Sequence, residues 1–138
     1  MYKTAEIGRY AEQWGLAYLQ HWGLKYLHSN FHCRYGEVDL IMLDQDCVVF
    51  VEVRARKHST FATALESVDE KKQAKTILTA QHFLQKYPQY EQFDCRFDVI
   101  ALDYYSVNDL INHLKKNSMD LFTQQTVNLQ WIKNAYTM

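Results

Sequence analysis

The chain has one proline and four glycines in 138 residues, so no Pro/Gly-rich linker or low-complexity tract is expected. Its three cysteines, Cys33, Cys47 and Cys95, are odd in number and form no CxxC pair. That excludes a disulfide framework and predicts free thiols of a reducing compartment. The six histidines form no HExxH pattern and have no cysteine at zinc spacing, so a structural zinc site is not expected. His28 and His32 are four apart, but the segment between them reads as extended, and the two would share no helix face. No run approaches 18 apolar residues, which excludes a membrane-spanning helix. The opening "MYKTAEIGRY" lacks a basic region followed by an apolar one. No secretory signal is expected, and a cytoplasmic protein is. Charge of one sign is lacking too: 15 Lys and Arg stand against 16 Asp and Glu, a formal net charge of −1. A protein that coats nucleic acid is disfavoured, while a local basic groove stays open.

What is present is 48% hydrophobic residues, enough for one core, and residues 1–138 are expected to form one domain. In "TAEIGRYAEQWGLAYLQHWG", Ile7, Ala11, Trp14 and Tyr18 recur at helical spacing, with Thr4 as cap and Gly23 as stop. "LKYLHSNFHCRY" predicts a first strand. "GEVDLIML" and "CVVFVEVRAR" predict a hairpin closed by the polar turn "DQD". "ESVDEKKQAKTILTAQHFLQKYP" predicts a helix with a Ser67–Glu70 capping box, an apolar stripe of Ala74, Ile77, Leu78 and Leu84, and Pro88 as its end. "CRFDVIAL" predicts a fourth strand, "SVNDLINHLKK" a short helix and "TVNLQWIKNAY" a last strand. Helix, three strands, helix, strand and a variable tail define an α/β domain around a central mixed sheet flanked by helices.

Acids stand out in the hairpin. Strand alternation puts Glu37 and Asp39 on one side and Val38 and Leu40 on the other. The third strand carries Val49, Val51 and Val53 on one face. Its other face runs Val48 and Phe50, then Glu52, Arg54 and Arg56. Counting from the turn sets Asp39 near Glu52. Two carboxylates about 4 Å apart repel by roughly 4 kcal/mol at an effective dielectric near 20, so such a pair needs a proton or a cation. Two carboxylates with waters are the usual protein share of a Mg²⁺ site, and bound Mg²⁺ polarises phosphate and activates water. With Arg54 beside them, the pattern suits phosphodiester chemistry. "RARKHS" (54 to 59), with Arg56 and Lys57, and "KKQAK" (71 to 75), with Lys72, are candidate phosphate contacts; runs of this kind are also ordinary solvated faces. Asp98 reads as a partner of Arg96 or a solvent-facing acid, outside the site.

"GEVDLI" with "FVEVRAR" resembles the PD-(D/E)XK nuclease motif, with Asp39 as its Asp and Glu52-Val53-Arg54 as its (D/E)-x-K. More broadly, "GRYAEQWGLAYL", "NFHCRYGEVDLI", "VVFVEVRAR", "ESVDEKKQ", "RFDVIAL" and "WIKNAY" resemble, in order and over nearly the whole chain, the YraN-like family of bacterial proteins. That family is similar in turn to archaeal Holliday-junction resolvases. The resemblance implies a restriction-endonuclease-like fold, helix–strand–strand–strand–helix–strand. It also implies a Mg²⁺- or Mn²⁺-dependent endonuclease acting on DNA, including structured or branched forms. Asp39 and Glu52 would hold the metal with help from Glu12, and Glu37 would be a secondary acid at the edge. Arg54 stands where the superfamily prefers Lys; it cannot deprotonate, so it cannot act as a base. Lys72 and Gln73 match the polar pair opening the second long helix, and Ala62 stands where a loop glycine is expected. Resolvase-like action would need two active sites, hence a homodimer. The alternative is a nucleic-acid-binding module that keeps the fold and cleaves little; more distant is a protein adaptor whose acids are structural. The metal reading requires Glu12, Asp39 and Glu52 to converge on one pocket.

Overall fold

Ile7, Ala11, Trp14, Tyr18 and Leu19 recur every three or four residues, and the segment winds into α1 (Thr4–His21) with those side chains buried. Its start differs from expectation. Thr4 is the first helical residue, and Lys3 takes the cap position, its N–H donating to the Glu6 carboxylate at 3.3 Å. A threonine already inside the helix cannot cap it, because a capping residue must itself be extended. Gly23 does stop the helix: at φ 94° it is left-handed, and the Leu24 and Gly23 N–H groups return to Leu19 O and Gln20 O at 3.0 Å each.

The computed structural model describes residues 2–58, 62–116 and 127–138; Ser59 of the first basic run and Thr126 of the last expected strand lie outside the described residues. After α1 come β1 (Lys25–Cys33), β2 (Gly36–Asp44), β3 (Cys47–Lys57), α2 (Glu70–Lys86), a 3-10 turn at Pro88–Tyr90, β4 (Asp94–Tyr104), α3 (Val107–Lys115) and β5 (Val127–Tyr136). The strands form one sheet in the order β1-β2-β3-β4-β5. β3 and β4 are parallel, joined by the α2 crossover, and the other pairs are antiparallel. The expected mixed sheet and core order are observed, with α3 and β5 added at the end. Among the described residues no helix is long and apolar enough to cross a membrane.

Helices cover both faces. Leu40, Met42, Val49, Val51 and Val53 pack with α1 and α3, while Ile41, Val48, Phe50 and Phe97 pack with α2. The buried face of α2 is not the expected stripe. Thr76, Thr79, Ala80 and Phe83 are buried, Ile77 and Leu84 are half-buried, and Ala74 and Leu78 are exposed. The threonines can face inward because their hydroxyls donate to the Lys72 and Lys75 carbonyls at 3.0 and 2.8 Å, leaving the methyls to pack. The cap also moves: Asp69, not Ser67, accepts the Lys72 N–H at 2.9 Å. Ala62 has no left-handed φ, so alanine in place of the expected glycine is unstrained.

Both outer strands are irregular. β1 has a register shift between Tyr26 and His28 and a left-handed Asn30 at φ 51°. β5 has a left-handed Asn134, also at φ 51°, and its pairing with β4 shifts between Phe97 and Val99. The shift is organised by Asp98, which is fully buried. It accepts from Arg96 Nε at 3.0 Å, Trp131 Nε1 at 3.0 Å and the Asn134 N–H at 2.9 Å, and Arg96 continues to Asp44 at 2.9 Å. Of the two readings of Asp98, pairing with Arg96 is the observed one. Asp98→Ala strips three donors of their acceptor at once, and breaking a buried ion pair from one side costs about 3–5 kcal/mol. Urea denaturation of the variant is expected to show a loss of that size.

Candidate active site

β2 and β3 pair from the Asp44–Cys47 turn as far as Leu40 and Val51, where the ladder ends. One step further, the same register would set Asp39 opposite Glu52. Instead the Val53 N–H donates to Asp39 Oδ2 at 2.8 Å. A side-chain carboxylate takes the place of a ladder acceptor, and a notch opens in the sheet. β2 also turns over here. Val38 and Leu40, expected on one face, pack in separate cores. On the neighbouring β1, Asn30 lies between the pairs Ser29–Leu40 and Phe31–Val38, and its left-handed backbone interrupts the alternation beside Asp39.

Three other elements bring side chains to the notch. Glu52 continues the α2-facing side of β3 and is buried, with Oε1 3.2 Å from Lys72 Nζ on the first turns of α2. Its Oε2 is buried and has no hydrogen-bond partner. A buried acceptor left unmatched costs about 1–3 kcal/mol, so this oxygen calls for a proton, a water or a cation. From the opposite side α1 supplies Glu12. The helix lies close to the sheet at Gly15, where a Cβ would stand 3.3 Å from Ile100 Cδ1 and 3.4 Å from Val53 Cγ2. Glu12, Glu37, Asp39, Glu52, Arg54 and Lys72 all line one cavity of about 290 Å³.

Glu12, Asp39 and Glu52 hold protons more tightly than usual. Burial, then the charges of Asp39 and Glu37, push Glu12 up to about 7. Burial and Asp39 push Glu52 up to about 7 against the pull of Lys72. Asp39 is also raised, chiefly by burial, with the Val53 N–H and Lys72 opposing. Among the described residues no three His, Cys, Asp or Glu side chains are gathered as a ready metal cage. What is gathered is a pair of deep acids, Glu12 from the middle of α1, Glu37, the Lys72 ammonium and the Arg54 guanidinium.

Of the residues singled out from sequence, Glu12, Glu37, Asp39, Glu52, Arg54 and Lys72 share the cavity. Arg54 is braced by Ser67, its Nε donating to Ser67 Oγ at 3.1 Å. Arg56 and Lys57 are exposed at the end of β3 and do not line the cavity. Gln73 turns away: its Nε2 donates to Val68 O at 3.0 Å, and it lines a separate small cavity with Val99 and Ile132. The direct Lys72–Glu52 contact was missed. The signal was present, since an acid on a strand face covered by a helix needs a cation from it, and α2 opens with Lys71, Lys72 and Lys75.

An α/β fold with an acid-lined notch beside a lysine is the class of protein that the structure defines. The model of the uncharacterised protein family UPF0102 matches residues 11–102, which contain every acid of the notch. A UPF0102 protein of Alcanivorax borkumensis is 43% identical over 129 residues, covering 94% of this chain and 90% of the relative. One of Pseudomonas syringae pv. tomato is 44% identical over 131 residues, covering 95% and 92%. One of Acinetobacter baumannii is 40% identical over 138 residues, covering 100% and 99%. The chain belongs to the UPF0102 family, the YraN family expected from its sequence motifs.

The raised acids make stability depend on pH in a definite sense. An acid whose folded pKa exceeds its unfolded value binds more protons when folded, so stability falls as pH rises between the two. For Glu12 and Glu52 that window runs from the ordinary glutamate value of 4.5 to about 7. The metal-free protein should therefore melt at a lower temperature at pH 8 than at pH 5, on account of the notch. Glu12→Gln should raise the melting temperature at pH 8 and leave it nearly unchanged near pH 4, as scanning calorimetry at the two pH values would show.

Proposed function

We propose that this chain is a Mg²⁺- or Mn²⁺-dependent nuclease domain that cleaves DNA phosphodiesters, including structured or branched forms. The observation that carries the reading is the buried, unpartnered Oε2 of Glu52 in a cavity shared with Asp39 and Glu12. Hard carboxylate oxygens in a half-open cavity suit a small divalent cation whose shell is completed by water. Asp39 and Glu52 would hold it, with Glu12 at the edge. Bound there, the ion supplies an activated water and polarises a phosphate oxygen.

The chain's own groups do the rest. The Val53 N–H fixes the direction of the Asp39 carboxylate. Glu12, with a proton affinity near neutrality, can take up or release a proton at the cavity wall. Lys72 places an ammonium against Glu52, and this, not Arg54, is the cation in direct contact with the acids. It stands ready to stabilise charge building on a phosphate. Arg54, braced by Ser67, adds fixed positive charge to the wall. The partner on this reading is DNA and the setting the cytoplasm. Paired cuts across a four-way junction would require two copies of the chain. A second reading, a DNA-binding module with little or no cleavage, is favoured by the engagement of Arg54 with Ser67 in place of a motif lysine among the acids.

Incubation of the purified protein with linear, flapped and four-way DNA in Mg²⁺ or Mn²⁺ separates the two readings. Under the first, cleavage appears and EDTA stops it. Lys72→Met should then lower the rate about 10²–10³-fold, the usual effect of removing one transition-state stabiliser, while Arg54→Lys should cost less. Binding without cleavage by any form selects the second. Metal binding has its own readout. At a hundredfold excess over Kd, Mn²⁺ should stabilise the folded chain by about 2.7 kcal/mol. Asp39→Asn keeps an acceptor for the Val53 N–H, so it should fold as well as the parent metal-free and lose the Mn²⁺ response.

A further inference from the structure

The acid cavity adjoins a second, larger groove of about 500 Å³, with which it shares Glu37 and Lys72. The groove lies between the β1–β2 turn and the first turns of α2. Its charged lining is Arg34, Lys72 and Lys75 against the single acid Glu37, with His32 beside them. On a chain of net charge −1 this is a local excess of positive charge. Lys72 is engaged with Glu52, but neither Arg34 nor Lys75 has an ion pair among the described residues, and both are exposed.

The turn that carries Arg34 is held against α2. Gly36, at φ 157°, forms the tight end of the turn, and a Cβ there would stand 3.5 Å from Lys75 Cβ, so the turn rests on α2. Arg34 Nη2 donates to Tyr35 Oη at 2.8 Å and the guanidinium lies 4.9 Å from the Tyr35 ring centre. The Tyr35 ring in turn meets His82 of α2 at 5.4 Å. Lys72 and Lys75 are three residues apart, so they share a helix face. The flank beyond Glu12 is different: a cavity of about 200 Å³ lined by Gln13, Ser29 and Asn30 with one cation, Arg9.

We propose that the Arg34–Lys75 groove binds the phosphates of a DNA strand on one side of the phosphate that enters the acid cavity. The inference rests on the nucleic-acid reading above and gives the substrate's path a direction. Acids repel a polyanion, so its approach to the notch needs compensating cations on the same path. A groove with two unneutralised cations beside the notch supplies them. The flank beyond Glu12, where Arg9 is the one cation among amides and a hydroxyl, then faces the strand's other side.

The test measures binding, not cleavage. Affinity for a fluorescent DNA duplex and for a four-way junction is titrated in EDTA over a range of salt concentrations. Each phosphate contact contributes about 0.7–0.9 to the slope of log K against log salt. Arg34→Ala and Lys75→Ala should each lower the slope by about that much, the double variant by about twice, and Arg34→Lys should restore most of it. Lys86→Ala removes an equally exposed cation from the far end of α2 and should leave the slope unchanged. Circular dichroism melts confirm that the exposed substitutions leave the fold intact. If cleavage is absent but the slopes change as stated, the groove stands and the nuclease reading falls. If the parent cleaves DNA but the slopes of the groove variants match those of the parent and of Lys86→Ala, the groove is overturned and the nuclease reading stands. Absence of any salt-dependent DNA binding overturns the groove outright.

Discussion

The Val53 N–H donates to the Asp39 carboxylate and not to a backbone carbonyl of β2, and the parting of β2 from β3 follows from that exchange. A sheet that paired to its end would have its amides and carbonyls consumed by the ladder and no gap among its strands. Here the ladder stops one step before Asp39 would face Glu52. The donor on β3 is satisfied all the same, so the notch opens without an orphaned amide at Val53. The same bond points Asp39 toward the gap and brings it among the residues supplied by α1 and α2. The site is therefore a planned interruption of a sheet, not a loop attached to it.

The cost of the arrangement is electrostatic. Four carboxylates line one cavity, and burial with mutual repulsion raises the proton affinity of Glu12, Asp39 and Glu52. Lys72 neutralises part of this at Glu52 and leaves the other oxygen without a partner. The surroundings hold the acids in place: apolar cores lie on both faces of the sheet, and Asp98 ties the last strand to the fourth through Trp131 and Asn134. Asp98 and Asp39 show two uses of a buried acid in one sheet. The first is saturated with donors and is structural. The second accepts from the Val53 N–H and faces a cavity.

Much of this was legible in residue order. The DQD turn and the apolar alternation around it set the hairpin register, and the register alone brought Asp39 toward Glu52. Periodicity located all three helices within a few residues of their ends. What escaped depended on who satisfies whom. The face of α2 was misjudged because counting apolar residues favours Ala74 and Leu78, whereas Thr76 and Thr79 go inward once their hydroxyls bond within the helix. Ser67 suited a cap, but Asp69 lies where the chain turns into the helix, and Ser67 serves Arg54. Strict alternation put Val38 with Leu40; the left-handed Asn30 alongside and the pull of Val53 on Asp39 turn the strand over between them. Arg56 and Lys57 continue β3 past the cavity, and Gln73 rotates off it, because a charge run in sequence says nothing of which side the cavity lies on.

The irregular outer strands bear on how copies of this chain meet. A straight, unpaired strand at the rim of a sheet is a template for a strand from another molecule, and long flat rims lead to edge-to-edge aggregation. In this sheet β1 is broken by a register shift and by Asn30, and β5 by Asn134 and the shift opposite Asp98. Neither rim offers an uninterrupted row of donors and acceptors along its whole length. Sheet growth by strand addition is discouraged at both ends, so the surfaces left for ordered self-association are helical faces and loops.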